Sequence, residues 1–237
     1  MFASRSVAGR AGMLLGLCGF WVGLAIACRQ FPGEYDWRYM TVSNLFSAKH
    51  NPAGHWWGAA GLIFCGGAGM CWVALGLRQP PTAGWGRLLR ESWLLAVGFP
   101  CMVLAAALPS EWLVPKGHDW LAVIAFLTLC SGLVRAWVQA ALQRCKIPIT
   151  NRSACAFALA CAALWPVAGA ALTQAYLALD RPDLPWVTLA WRARQVPLYL
   201  SFAVWEWLTC LVLSGCLAFI CVAPPRGAKQ RNPRRVH

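Results

Sequence analysis

The sequence predicts an all-α fold: a polytopic membrane helix bundle of six transmembrane helices, with both termini in the cytoplasm. Three observations lead there. Hydrophobic residues make up 59% of the 237-residue chain and charged residues only 12%, against roughly 25% charged in a soluble domain. The mean hydropathy is +0.52. The apolar residues also fall in six long continuous runs. This composition excludes a disordered chain, a coiled coil and a soluble enzyme of ordinary surface. Continuous runs exclude an outer-membrane barrel, whose strands alternate. Helices are then required, because lipid offers the backbone no hydrogen-bond partner.

The runs extend from Ala11 to Cys28, Trp56 to Leu77, Ser92 to Leu108, Trp120 to Leu142, Ser153 to Leu179 and Leu198 to Ala223. Each is near the length of about 20 residues that a bilayer demands. The third is the shortest and holds Pro100; the fifth is the longest and holds Pro166, where a kink is expected. Residues 1–223 thus form one transmembrane domain, and residues 224–237 a basic cytoplasmic tail. Arg5 and Arg10 precede the first run, and Ala25-Ile26-Ala27-Cys28 loosely resembles a lipoprotein cleavage box. It lacks the large aliphatic residue at Ala25, and Arg29 follows at once, so the first run reads as an uncleaved span.

Orientation follows from the basic residues. The net charge is +13. Arg5, Arg10, Arg78, Arg87, Arg90, Arg144, Lys146, Arg152, Arg226, Lys229, Arg231, Arg234 and Arg235 fall on one side. Arg29, Arg38, Lys49, Lys116, Arg181, Arg192 and Arg194 fall on the other. The richer side is cytoplasmic by the positive-inside rule. These charges sit in short runs between spans and form no separate basic domain, so they read as topology control and lipid contact rather than nucleic-acid binding.

The twelve cysteines lie in spans, at span ends, or, for Cys145, in a cytoplasmic loop. None falls within the outer loops and no CxxC occurs, so they read as small packing residues. Gly12, Gly16, Gly19 and Gly23 share one helical face, over which another helix can approach closely. That helix belongs to the same chain or, in the alternative, to a second copy. Trp37, Trp56, Trp57, Trp112, Trp120, Trp186, Trp191, Trp205 and Trp207 cluster near the outer boundary, as an aromatic belt would.

The titratable residues are one-sided. Seven of the eight acidic residues, all but Glu91, and three of the four histidines lie in the outer loops or outer halves of spans. The candidate polar site is therefore outward-facing and comprises Asp36, Ser43, Asn44, His50, His55, His118, Asp119 and Glu206. The first loop, Arg29 to His55, is long enough to fold over the bundle mouth, and long structured loops are often functional. Glu206 lies inside the last span, too deep for bulk water, and so needs a donor. His118, Arg192 and Arg194 are its expected partners. Arg135 is the other intramembrane charge. With Thr128, Ser131 and Gln139 it forms a polar stripe along the fourth run. Snorkelling to the cytoplasmic surface is the competing account of Arg135.

The elements Tyr35-Asp36, Thr41-Val42-Ser43-Asn44-Leu45, Leu108-Pro109-Ser110 and Gly117-His118-Asp119 carry a resemblance. The chain resembles the bacterial and archaeal six-helix membrane family filed as domain of unknown function nine-nine-eight. That family shows Thr-x-Ser-x-Leu after the first span, and Phe-Pro followed by Gly-x-x-His or His-Asp before the fourth. Leu108 replaces the Phe here, and Asn44 stands where an acidic residue is common. The resemblance implies six helices and an outward-facing conserved region, and no activity.

His50, His55, His118 and Asp119 have the composition of a hydrolytic zinc site of the alkaline ceramidase type. Those enzymes have seven helices and paired histidines on the last. The last run here has none, and Pro52 separates His50 from His55. No metal and no cofactor are expected, no catalytic residue is assigned, and whether the chain is an enzyme stays open. Three functions remain. One is a protein of the bacterial inner membrane that binds or processes a lipid or lipid-linked head group. A second is a small proton-coupled transporter. The third is a non-catalytic subunit of a membrane complex. Membrane lipids are the expected partners, with a homo-oligomer or complex partner as alternatives and no nucleic acid. The topology is checked by reporter fusions: fusions at Lys116 and Gln230 should report opposite sides of the membrane, and a shared side would refute it.

Overall fold

The computed structural model describes residues 2–79, 84–108, 117–180 and 196–222. Among these it is all-helical. The order is α1 (Phe2–Arg29), α2 (Val42–Phe46), α3 (His55–Leu77), α4 (Gly84–Glu91), α5 (Leu94–Ala107), α6 (Gly117–Arg144), α7 (Arg152–Asp180) and α8 (Phe202–Val222). Short 3-10 turns at Ile149–Asn151 and Leu198–Leu200 precede α7 and α8. Five helices, α1, α3, α6, α7 and α8, are long and apolar enough to cross a membrane. The run expected from Ser92 to Leu108 gives a shorter apolar helix, α5, of 14 residues. Its rise is about 21 Å, less than the ~30 Å of a hydrocarbon core. The chain turns at Ser92 and Trp93 after α4, which removes the first residues of that run from the helix. The tail at 224–237 lies outside the described residues.

The helices pack through glycine seams. A Cβ at Gly16 would lie 2.6 Å from that of Ala68, and one at Gly23 would lie 2.5 Å from the Trp57 carbonyl oxygen. Those pairings run in opposite directions along the chain, so α1 and α3 are antiparallel and their backbones almost touch. Gly16, Gly19 and Gly23 all face α3, as the intrachain reading of the glycine face requires, whereas Gly12 has open space beside it. Gly66 and Gly69 of α3 receive Val103 and Phe99 of α5 in the same way. Gly98 of α5 and Gly132 of α6 then lie against Leu129 and Leu95. The last helix returns to the first. Arg10 donates through Nη1 to the Cys221 carbonyl (3.1 Å), and the Trp21 indole donates to Ser214 Oγ (3.2 Å). Arg10 and Cys221 therefore sit at the same face of the bundle, here the terminal face. The α1–α3 loop with α2 occupies the opposite, loop face. The core between them holds Met13, Leu24, Trp72, Leu95, Phe99 and Ile220, all essentially inaccessible.

The terminal face is organised by α4. Leu88 and Leu89 are buried under it and Arg87 and Arg90 stay exposed. Arg90 donates from Nη2 to the carbonyls of Leu77 (3.2 Å) and Gln79 (2.9 Å) at the end of α3, where helical carbonyls lack intrahelical partners. Glu91 accepts from Arg87 Nε at 2.7 Å and from Gln139 of α6. The Arg87 guanidinium holds the Glu91 carboxyl below the usual range; burial opposes this, and Gln139 and Arg135 add to it. Arg135 thus lies within electrostatic range of Glu91, and its side chain is exposed. The stripe on α6 is correspondingly divided. Thr128 bonds back to the Ile124 carbonyl, Ser131 is exposed, and Gln139 crosses to α4.

All twelve cysteines are unpaired. Cys65, Cys130, Cys216 and Cys221 are buried packing residues, while Cys18, Cys71, Cys145 and Cys161 are exposed.

The seam makes a graded prediction. Gly16→Leu should lower the stability of the purified protein by about 2–3 kcal/mol, the range for overpacking. Gly12→Ala should be neutral or stabilising, because alanine is the better helix former by about 1 kcal/mol. Thermal unfolding in one detergent checks both, and equal losses at the two positions would refute the seam.

Candidate functional site

Three helix ends meet at one amide. Asn51 is fully buried. Its Nδ2 donates to the Ala27 carbonyl (3.0 Å) and, at 3.3 Å, to the Leu45 carbonyl, and its Oδ1 accepts the Gly54 N–H (3.0 Å). Ala27 lies in the last turn of α1, Leu45 in α2, and Gly54 precedes α3. These are end groups that their own helices leave unpaired. The loop is thereby closed on itself, and α2 is held at the mouth of the bundle.

The loop is also stitched to the start of α8. Tyr39 donates through its hydroxyl to the Val196 carbonyl (3.2 Å), and Ser201 Oγ donates to the Arg38 carbonyl. The Trp207 indole donates to the Tyr35 hydroxyl (3.2 Å), which is itself 2.8 Å from the Met40 carbonyl and 3.0 Å from that of Thr41. Burial pushes the Tyr35 phenol up, with the Trp207 bond acting the other way; the hydroxyl stays protonated and available as a donor. The deepest stitch is Glu206, whose Oε2 accepts the Val42 N–H at 2.7 Å. The Ser43 N–H acts on the same carboxyl. Val42 opens α2, so a carboxyl from the last helix caps a helix in the first loop. This is the favoured location for an acidic group, since the first N–H groups of a helix have no intrahelical acceptor and carry the positive end of its dipole.

The structure disposes the other sequence-predicted residues as follows. The Ser43 hydroxyl is 2.7 Å from the Thr41 hydroxyl, and Ser43 is exposed. Asn44 is engaged through its backbone, its N–H donating to Thr41 and its carbonyl accepting from Ser47. Asp36 is buried and takes both Arg38 Nε (2.8 Å) and Nη2 (3.0 Å), a forked pair that raises the Arg38 guanidinium pKa. His50 is half-buried. His55 Nδ1 lies 3.1 Å from the carbonyls of Asn51 and Pro52, and its ring stacks on Trp56. His118 and Asp119 belong to the first turn of α6, but their side chains lie outside the described residues, as do Arg192 and Arg194. Glu206 and the Thr41–Ser43 segment are therefore brought together, while His55 is engaged with the loop carbonyls of Asn51 and Pro52. Among the described residues the donors to Glu206 are backbone N–H groups. Among the described residues no group of three or more His, Cys, Asp or Glu is placed to hold a metal ion.

Sequence reasoning did not single out Asn51, Tyr35, Trp207 or Gln174 for the site. Gln174 of α7 is buried, and its Nε2 has no hydrogen-bond partner among the described residues. It lies one turn below Leu177, which packs with Val196 and Tyr39 under the loop. Its only sequence signal is a lone amide in an apolar run. Comparison with protein-family models, with curated proteins and with solved structures returned no match.

The Glu206 cap is testable. Glu206→Ala should speed amide exchange across Val42–Phe46 by roughly tenfold or more, since leaving a buried donor unpaired costs about 1–3 kcal/mol. Glu206→Gln, which keeps an acceptor oxygen, should change it far less. Exchange unaltered by Glu206→Ala would show that α2 is held without the cap.

Proposed function

We propose that the chain is a six-span membrane protein, with the terminal face cytoplasmic, that binds a lipid or lipid-linked head group at its loop face. One observation carries the reading. The latched loop gathers Glu206, the exposed Ser43 hydroxyl, the Asp36–Arg38 pair and the unpartnered Gln174 donor at one end of the bundle. The exposed indoles of Trp37, Trp56 and Trp57 lie at that same end, and such rings favour the headgroup layer. Polar groups at that depth meet lipid heads before they meet any soluble ligand. The basic-residue bias supports the orientation, and α5 with its Ser92–Trp93 turn serves as the sixth crossing. The resemblance to the domain of unknown function nine-nine-eight family agrees with six spans, and a bacterial inner membrane suits that family. The alternative of a proton-coupled transporter has less support. Its two motivating charges lie towards opposite ends of the bundle, Arg135 within electrostatic range of Glu91 and Glu206 bonded to the Val42 N–H.

The experiment is photolabelling of the full chain in phosphatidylethanolamine vesicles doped with a lipid carrying a photoreactive head group. Label should concentrate on the peptides around Ser43 and Gln174 and fall several-fold in Ser43→Trp. Label spread evenly along the lipid-exposed helices would overturn the reading.

A further inference from the structure

The turn between α6 and α7, at the terminal face, holds a second and separate feature. An apolar hollow of about 280 Å³ opens there, lined by Leu142, Cys145, Ile147, Cys155, Ala158 and Leu159, with no polar lining. The helical segments that meet there are long: Trp120–Arg144 within α6 has 25 residues, and Ile149–Asp180, the 3-10 turn together with α7, has 32. At 1.5 Å per residue these are about 38 and 48 Å long, against a hydrocarbon core of roughly 30 Å. Gln139 is tied to Glu91 of α4, which carries the exposed Arg87 and Arg90, and exposed arginines favour the headgroup layer. Arg144 stands a further five residues, about 7.5 Å, along the axis. The hollow is therefore apolar surface at headgroup depth, where water would otherwise fill it.

Its rim is cationic. Arg144, Lys146 and Arg152 are exposed around the turn, and no acidic residue occurs between Gln143 and Arg152. Arg152 donates through Nε to the Ile147 carbonyl (3.2 Å), which holds its guanidinium over the turn. The turn itself is defined. The Cys145 N–H returns to Ala141 and the Ile147 N–H to Leu142, and Lys146 takes φ +51°, the left-handed helix end at which glycine is usual. A lysine there places a charge where conformational preference would place none.

We propose that this turn is a binding site for an anionic phospholipid of the adjacent leaflet, with part of an acyl chain in the hollow and the phosphate on Arg144, Lys146 and Arg152. An apolar hollow beside three cations matches a molecule that joins an acyl chain to a phosphate. A zwitterionic lipid supplies the chain without the net charge, and a soluble phosphate the charge without the chain.

The test is native mass spectrometry of the full chain from micelles containing phosphatidylglycerol or phosphatidylcholine. Phosphatidylglycerol should be retained and phosphatidylcholine lost. Replacing Arg144, Lys146 and Arg152 together by Ala should reduce retention by roughly a hundredfold, at about 1 kcal/mol per basic residue and 1.4 kcal/mol per tenfold. Ala158→Phe, which fills the hollow, should also release the lipid. Lys146→Gly separates binding from folding: it should raise the thermal unfolding temperature by relieving the backbone, yet lower retention by about fivefold. Equal retention of the two lipids by the unaltered chain would overturn the proposal. So would full retention in Lys146→Gly, or displacement by glycerol phosphate at the same concentration.

Discussion

A backbone group at a helix end must find a partner, and at the loop face of this bundle water is only partly available to supply one. Asn51 meets that demand for three helices at once through a single buried amide. Glu206 meets it for the opposite end of α2. Between them these two side chains hold a five-residue helix that could not persist alone, since isolated helices shorter than ~12–15 residues are marginal even in favourable sequences. The positions of Tyr35, Arg38 and Tyr39 against α8 follow from that anchoring. The polar character of the loop face is a by-product of satisfying the backbone as much as a preparation for a ligand.

The two faces solve the same problem differently. At the loop face the partners are short side chains, the Asn51 amide and the Glu206 carboxyl. At the terminal face they are long cationic side chains, with Arg90 reaching the end of α3 and Arg10 the end of α8. Between the faces, glycine replaces side-chain interdigitation where α1 meets α3, and the gain there is dispersion contact between backbones, the main attractive term available in lipid. α7 stands apart from this pattern. Only 11% of its most apolar window is buried within the molecule, and Phe157, Leu172 and Leu179 face outward.

Much of the fold was legible because hydropathy is a local and additive property. Five runs became long helices, four of them near their expected limits and α1 starting at Phe2 rather than Ala11, and the glycine face of α1 meets its partner at Gly16, Gly19 and Gly23. The start of α5 was not legible, because Ser92 and Trp93 continue an apolar run while the backbone turns. Glu206 was recognisable as a carboxyl in need of a donor, and the first loop as the element long enough to deliver one. The identity of that donor was not recognisable, because a backbone N–H belongs to nearly every residue. Asn51 was equally opaque: its role exists only where the ends of α1, α2 and α3 converge, and nothing in a lone Asn-Pro pair announces that. The neighbour of Arg135 was not legible, because helical spacing places residues on a face without saying what the next helix, here α4, sets beside them.

The capping bond of α2 joins residues separated by 164 positions, which has a consequence for biosynthesis. During synthesis the first loop is made 164 residues before Glu206. At roughly 5–20 residues per second, α2 waits about 8–33 s for its cap. Throughout that interval α1 and α3 can already pair along their glycine seam, but the loop above them stays open, its donors presented to whatever the membrane surface offers. A chain interrupted before α8 would carry that open loop permanently, so the latch distinguishes a chain that has reached α8 from one that has not.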